Sequence, residues 1–281
     1  MTLDIRPMRR IDLDIALGWA RDEGWNPGLD DADALYAQDP SGFLMGWLGT
    51  TPIGCVSVVK YGTDFAFLGL YIVHPEWRGR AYGKAIWDAG IASAGSRTIG
   101  LDGVVAQQDN YRKSGFALAH RSARWGGIVK GSEITDPRVR RLTPDLMPTI
   151  AVFDRLCFPE VRPRFLNAWL DAPSSTRRSL CAIENDDVIG YGTVRRGIEG
   201  HKVGPLFARS PEVANVLFSA LAADIGPSPI FVDIPATNDA AVRLAENHGL
   251  TPSFETARMY RGPAPTITIG RVFGITTLEL G

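Results

Sequence analysis

Little in this 281-residue chain invites metal, redox or membrane chemistry. Its four histidines (His74, His120, His201 and His248) share no metal or triad spacing, and no serine sits in a nucleophile elbow. The three cysteines, Cys55, Cys157 and Cys181, are odd in number, far apart and set in apolar surroundings. They read as buried thiols in a reducing compartment, not as a disulfide framework. No run approaches the roughly 20 apolar residues that a bilayer span needs. The opening Met1-Thr2-Leu3-Asp4-Ile5-Arg6 has no hydrophobic signal core. Nor is there an excess of one charge: a formal net charge of -1 gives no overall pull toward nucleic acid or anionic lipid. The expectation is a soluble, cytoplasmic protein without a metal, a nucleic-acid partner or a membrane anchor.

What is present is globular. With 45% hydrophobic and 22% charged residues, the chain can bury a sizeable core, and its length suits two domains of ordinary size. The two halves repeat one order of elements. Ile53-Gly54-Cys55-Val56-Ser57-Val58 matches Ile189-Gly190-Tyr191-Gly192-Thr193-Val194, 136 positions on. Pro75, after the central strand, matches Pro211 at the same offset, and Gly115, after a short helix, matches Gly249 at 134. Shared order and near-constant spacing indicate a duplicated α/β unit of about 130 residues. Gly126 to Pro137, polar and glycine-bearing, is the natural linker. The expected units are residues 1–128 and 138–281.

The most informative stretch is in the first half. Phe65 to Val73 is an apolar run that predicts a buried strand, ended by His74-Pro75. A loop with Arg78, Gly79, Arg80, Ala81, Tyr82 and Gly83 follows, then Lys84 to Ala92 as a helix. A strand, a cationic glycine-bearing loop and a helix can aim free backbone N–H groups at a phosphate. A Rossmann dinucleotide site is excluded, because its glycine fingerprint belongs after the first strand of a βαβ unit. Around this stretch the pattern predicts a strand at Leu3 to Met8 and helices at Asp12 to Arg21 and Asp31 to Gln38. A hairpin follows at Gly42 to Leu48 and Ile53 to Lys60, then a strand at Thr98 to Asp102. A helical turn at Asp109 to Ser114 and a last strand at Gly115 to Trp125 close the half.

The first half resembles the GNAT (general N-acetyltransferase) superfamily. The family's R/Q-x-x-G-x-G/A loop is matched by Arg78, Ala81 and Gly83, after the lead-in Val73-His74-Pro75. Tyr111-Arg112-Lys113-Ser114-Gly115-Phe116 resembles the family's Y-x-K-x-G-F ending. Ala81 replaces a common glycine, which alanine can do where φ is negative. The resemblance implies an α/β fold of α+β type, with two tandem GNAT-like domains, each a mixed, mostly antiparallel twisted sheet flanked by helices. It also implies acetyl-CoA as the acetyl donor. Backbone groups of Tyr71 and Val73 would pair with the pantetheine arm, and N–H groups from Gly79 to Lys84 would hold the pyrophosphate. A main-chain N–H near Ile72 would stabilise the oxyanion, and Tyr111 would protonate the departing thiolate.

An amine acceptor must lose a proton. Many family members place a glutamate on the central strand, but Phe67, Leu68, Gly69 and Leu70 supply none. Glu23, Asp102 and Asp64 are the candidates, Glu23 first because its loop, Glu23-Gly24-Trp25-Asn26-Pro27-Gly28, should border the acceptor cleft. Trp25 and Asn26 are the acceptor-site residues expected from that loop. The second half has Pro211-Glu212-Val213-Ala214-Asn215-Val216 in place of the cationic loop and no tyrosine matching Tyr111, so it should not bind CoA. The tail from Gly270 to Gly281 is either an extra strand or a segment closing the cleft. The leading function is N-acetylation of a small-molecule amine; the alternatives are a protein-amine acetyltransferase and an acyl-CoA sensor of the same fold.

Overall fold

The computed structural model describes residues 2–129, 136–171, 175–223 and 225–281. The first half runs β1 (Leu3–Pro7), α1 (Arg10–Asp22), α2 (Asp31–Gln38), β2 (Phe43–Leu48), β3 (Thr51–Tyr61) and β4 (Phe65–Val73). It continues with α3 (Tyr82–Ser93), β5 (Thr98–Val104), α4 (Gln108–Lys113) and β6 (Ala117–Ile128). Asp12, expected to cap α1, lies inside its first turn, where its carboxylate accepts the Arg9 N–H at 2.9 Å. The expected linker begins later than Gly126, because β6 runs on to Ile128; residues 130–135 of that stretch lie outside the described residues.

The second half repeats the order: β7 (Val139–Arg141), α5 (Met147–Cys157), α6 (Pro163–Leu166), β8 (Arg177–Glu184), β9 (Asp187–Arg196) and β10 (His201–Ala208). Then come α7 (Pro211–Ala223), β11 (Pro229–Pro235), α8 (Asp239–Asn247), β12 (Thr251–Arg261) and a short β13 (Val272–Gly274). The duplication extends to packing. A Cβ on Gly54 of β3 would sit 2.9 Å from Ile86 of α3, and one on Gly190 of β9 would sit 3.0 Å from Leu217 of α7. Each glycine is thus a notch that lets a helix close on its sheet. The notches are 136 positions apart but the residues that fill them only 131, so the second half has lost five residues between strand and helix. Pro211 therefore starts α7, whereas Pro75 starts a separate 3-10 turn ahead of α3.

The strands form one sheet in the order β1-β2-β3-β4-β5-β12-β6-β11-β10-β9-β8-β7. The last strands are exchanged: β12 of the second half lies between β5 and β6, and β6 of the first half lies between β12 and β11. The sequence divides at 128 and 138, but the sheet does not. Helix α3 covers one cluster of the core with Ile86 and Trp87, and α7 and α8 cover a second with Leu217, Phe218 and Leu244. A third cluster joins the halves, drawing Leu13 and Leu35 from the first and Phe153 and Phe165 from the second. Asp31 ties them further: its carboxylate meets Arg177 at 3.1 Å and Arg195 at 3.0 Å. Burial pushes that carboxyl up, but Arg195, Arg177, Lys202 and the Gly28 N–H together outweigh burial and hold it below the ordinary range.

Candidate active site

Strand β4 pairs with β5 only from Phe65 to Leu68, and beyond Leu68 the two strands part. Leu70, at φ +44°, sets a kink there. The Cys55 thiol donates to the Leu70 carbonyl at 3.0 Å, and the Ile72 N–H is drawn to the same sulfur. The His74 N–H donates to Ile53 O at 3.0 Å. The backbone groups at 70, 72 and 74 therefore face β3. By strand alternation those of Tyr71 and Val73 face the open edge. The Ile72 N–H itself faces β3, so the main-chain donors near it that face the opening are those of Tyr71 and Val73; Ile72, buried, also lines the cavity. Tyr71 and Val73 present the free edge, and Val73 O accepts Arg78 Nε at 2.8 Å.

After the 3-10 turn at Pro75–Trp77, the chain reverses through Gly79 (φ +74°) and Ala81 (φ +64°) before α3 begins at Tyr82. Alanine would fit this position without strain at negative φ; the left-handed conformation it adopts instead costs about 1–2 kcal/mol. No side chain caps α3 and no acid lies in its first turn, so among the described residues the N–H groups of Tyr82, Gly83 and Lys84 have no partner. Gly83 lets the helix start lie against β4: a Cβ there would be 2.8 Å from the Tyr71 hydroxyl and 3.0 Å from Val73 Cγ2. The cations of the loop are partly engaged. Arg78 pairs with Glu23, Lys84 with Asp88 at 2.5 Å, and Arg80 lies over the Trp77 ring at 5.1 Å.

The parted strands open into a cavity of about 560 Å³. Tyr71 and Tyr111 form one wall, Glu23 and Trp25 another, and Phe254, Thr256 and Glu279 of the second half close it. Tyr111 stacks on Trp87 with centroids 5.6 Å apart, and Tyr71 meets the same indole edge-on at 5.0 Å. Gly103 makes room for the phenol, since a Cβ there would sit 2.5 Å from Tyr111 Cε2. Burial, with Tyr71 beside it, pushes the Tyr111 hydroxyl up to about 12.

The candidate acids separate cleanly. The Asp102 side chain is buried and held by Arg258 in two hydrogen bonds of 2.8 and 2.7 Å, one to each carboxylate oxygen, so its charge is already matched by a guanidinium. Asp64 is exposed in the turn between β3 and β4, outside the cavity. Glu23 is at the cavity and in its ion pair with Arg78, which links the loop after α1 to the loop before α3. Asn26 does not line the cavity. Its amide donates to Glu199 O and accepts the Glu199 N–H, both at 2.9 Å, clamping the loop to the turn between β9 and β10. Among the cavity residues missed in the sequence, Phe254, Thr256, Leu278 and Glu279 come from β12 and the tail. They carry no local motif; the strand exchange brings the first two here and the course of the tail the last two.

Known proteins place this architecture. The Acetyltransferase (GNAT) family profile matches residues 10–116, and the Acetyltransferase (GNAT) domain profile matches residues 150–274. Holothin acyltransferase of Pseudoalteromonas sp. (strain SANK 73390) is 30% identical over 264 residues, 94% of this chain and 89% of that protein. The chain belongs to the GNAT family. Among solved structures, a Pyrococcus horikoshii protein assigned to the acetyltransferases superposes on this GNAT chain with a TM-score of 0.83 at 23% identity, covering 99% of this chain and 96% of that one. A tandem GNAT protein from the clavulanic acid biosynthesis pathway gives 0.63 at 13% identity, covering 94% and 100%. Both likenesses are of fold. Each half of the chain is thus a GNAT unit, and the acyltransferase family is the frame for its chemistry. Among the described residues no His, Cys, Asp and Glu cluster could hold a metal, and no helix is long and apolar enough to cross a membrane.

Proposed function

We propose that this protein transfers an acetyl group from acetyl-CoA to the amine of a small molecule, with the donor held by the first half. The observation that carries the reading is one continuous path. It runs from the uncapped start of α3, along the free edge of Tyr71 and Val73, into the cavity beside Tyr111. The residues fit such a donor: Gly83 leaves room where any Cβ would meet Tyr71, and the first-turn N–H groups suit a pyrophosphate. Bound there, acetyl-CoA supplies a thioester acyl group activated for attack by an amine.

The chain's own groups have defined tasks. The N–H of Tyr71 or Val73 faces the parted edge and can stabilise charge developing on the acyl oxygen; one such donor is worth roughly 3 kcal/mol. Tyr111, at about 12, lies well above an ordinary thiol at about 8.5. It therefore donates a hydrogen bond to the departing sulfur and keeps its own proton at neutral pH. Trp25 and Phe254 give the acceptor an apolar wall. The acyltransferase relative named for holothin makes that compound an acceptor to include in the test. Thiol release from acetyl-CoA should rise above the rate with water alone when holothin or other small amines are added. Binding of acetyl-CoA with no acceleration by any amine would overturn the reading.

A further inference from the structure

The tail is built into the molecule at two places. Its strand β13 pairs with β10 at Leu206 and Phe207, and the Ile275 N–H donates to Asp233 O of β11 at 2.8 Å. Arg162 of the second half holds the next residue, its Nη2 donating to Thr276 Oγ1 at 3.0 Å, and the Leu280 N–H turns the tail by donating to Thr277 Oγ1 at 2.9 Å. The end of the tail then reaches the first half, where the Tyr61 hydroxyl donates to Leu280 O at 3.1 Å. Between these anchors Glu279 is laid over β4 at Gly69, whose absent Cβ would be 2.2 Å from Glu279 O. Glycine at 69 is therefore the condition for the tail's approach. This is the strand that has no glutamate of its own.

Glu279 is 4% exposed and lines the cavity. Among the described residues nothing donates a hydrogen bond to its carboxylate, whereas Asp102 is held by Arg258 through both oxygens and Glu23 is paired with Arg78. Arg124 and Lys202 act on it through their field without an ion-pair contact. Arg124 is itself fixed by Asp233 at 2.8 Å and by Trp25 O at 2.9 Å. A buried carboxylate with no donor of its own is short of a hydrogen-bonding partner, and an ammonium entering the cavity would be one. We propose that Glu279, carried by the tail, receives the acceptor ammonium and takes its proton.

The inference rests on the acetyl-transfer reading. One proton passes from the ammonium nitrogen to the Glu279 carboxylate, giving a neutral amine and a carboxylic acid that later returns the proton to solvent. The nitrogen lone pair forms the C–N bond while the C–S bond breaks, its electron pair leaving on sulfur. The second proton lost by nitrogen ends on that sulfur, beside the Tyr111 hydroxyl.

The test compares benzylamine, an ammonium at pH 7.5, with para-anisidine, an aryl amine already neutral there. Glu279→Gln should lower kcat with benzylamine about 10²-fold and with para-anisidine less than about threefold. Acetyl-CoA affinity, measured by calorimetry, should stay within about twofold, because the donor path does not include Glu279. Glu279→Asp should recover roughly tenfold of the benzylamine loss, its carboxylate being one methylene short. Equal losses with both amines, or no loss, would overturn the role of Glu279 and leave acetyl transfer standing. A wild-type protein that binds acetyl-CoA and acylates neither amine nor any other tested would remove acetyl transfer, and the inference with it.

Discussion

The two halves solve one strand-to-helix junction in opposite ways. In the first, β4 leaves β5 after Leu68, and the opened edge is free. In the second, β10 pairs with β11 only from His201 to Val203, and the opening beyond is filled by β13. The helix starts differ in the same sense. α3 begins after left-handed Ala81 with no cap and no acid. α7 begins with Pro211, its Val213 N–H donates to the Ser210 hydroxyl at 3.3 Å, and Glu212 is held by Arg138 at 2.6 Å. A proline, a hydroxyl and a carboxylate satisfy or repel everything that an anion would seek there. The third difference is at the short helices: Phe116 N–H donates to Tyr111 O, and in the second half Leu250 N–H donates to Ala245 O, so alanine stands where the phenol does. A duplicated scaffold thus keeps its packing while one copy is closed by its own chain. The closing segment then continues to Glu279, at the cavity of the open copy.

The comparison can be broken most severely at Gly83. A Gly83→Val side chain meets Tyr71 and Val73, and acetyl-CoA affinity should fall about 10²-fold by calorimetry. Next is Tyr111→Phe, which removes a hydrogen bond to developing charge. It should lower kcat roughly 30-fold with acetyl-CoA affinity unchanged; matching losses in both would make the tyrosine a binding residue. Ala81→Gly sharpens the comparison more gently. Relief of the left-handed alanine, less the added glycine entropy, should raise the unfolding temperature by about 2 °C. The smallest effects are expected at two places. Glu212→Gln in the closed half should leave acetyl-CoA affinity within about twofold. The pH profile should show no loss from Tyr111 ionisation below about pH 11, because burial raises this acid and the neutral, donating form persists as pH climbs toward 12.

Much of this was legible in the residues. The run Phe65 to Val73 became β4 with the same bounds, since an apolar stretch closed by His-Pro has few other solutions. The notches at Gly54 and Gly190 and the helix ends at Gly115 and Gly249 gave the duplication away, each glycine being fixed by a close approach or a positive φ. The loop before α3 was legible as a strand-to-helix junction because Pro75 and the glycines at 79 and 83 punctuate it. Strand exchange was not, since β12 carries the same alternation whichever half receives it. Which N–H near Ile72 faces the opening depended on the kink at Leu70, and the positive φ of Ala81 on a reversal that alanine does not announce. Asn26 looked like an acceptor residue because an amide in a loop has no address until its partner, Glu199, is known. Glu279 lies some 210 positions from Gly69 in sequence, and only the folded tail joins them.

The central claim is that one half is open to acetyl-CoA and the other closed. Titration calorimetry of acetyl-CoA into the wild-type chain and Gly83→Val measures it directly. The expected result is one molecule bound per chain, with that binding lost in the variant. Two molecules per chain, or a single site that survives Gly83→Val unchanged, would contradict it.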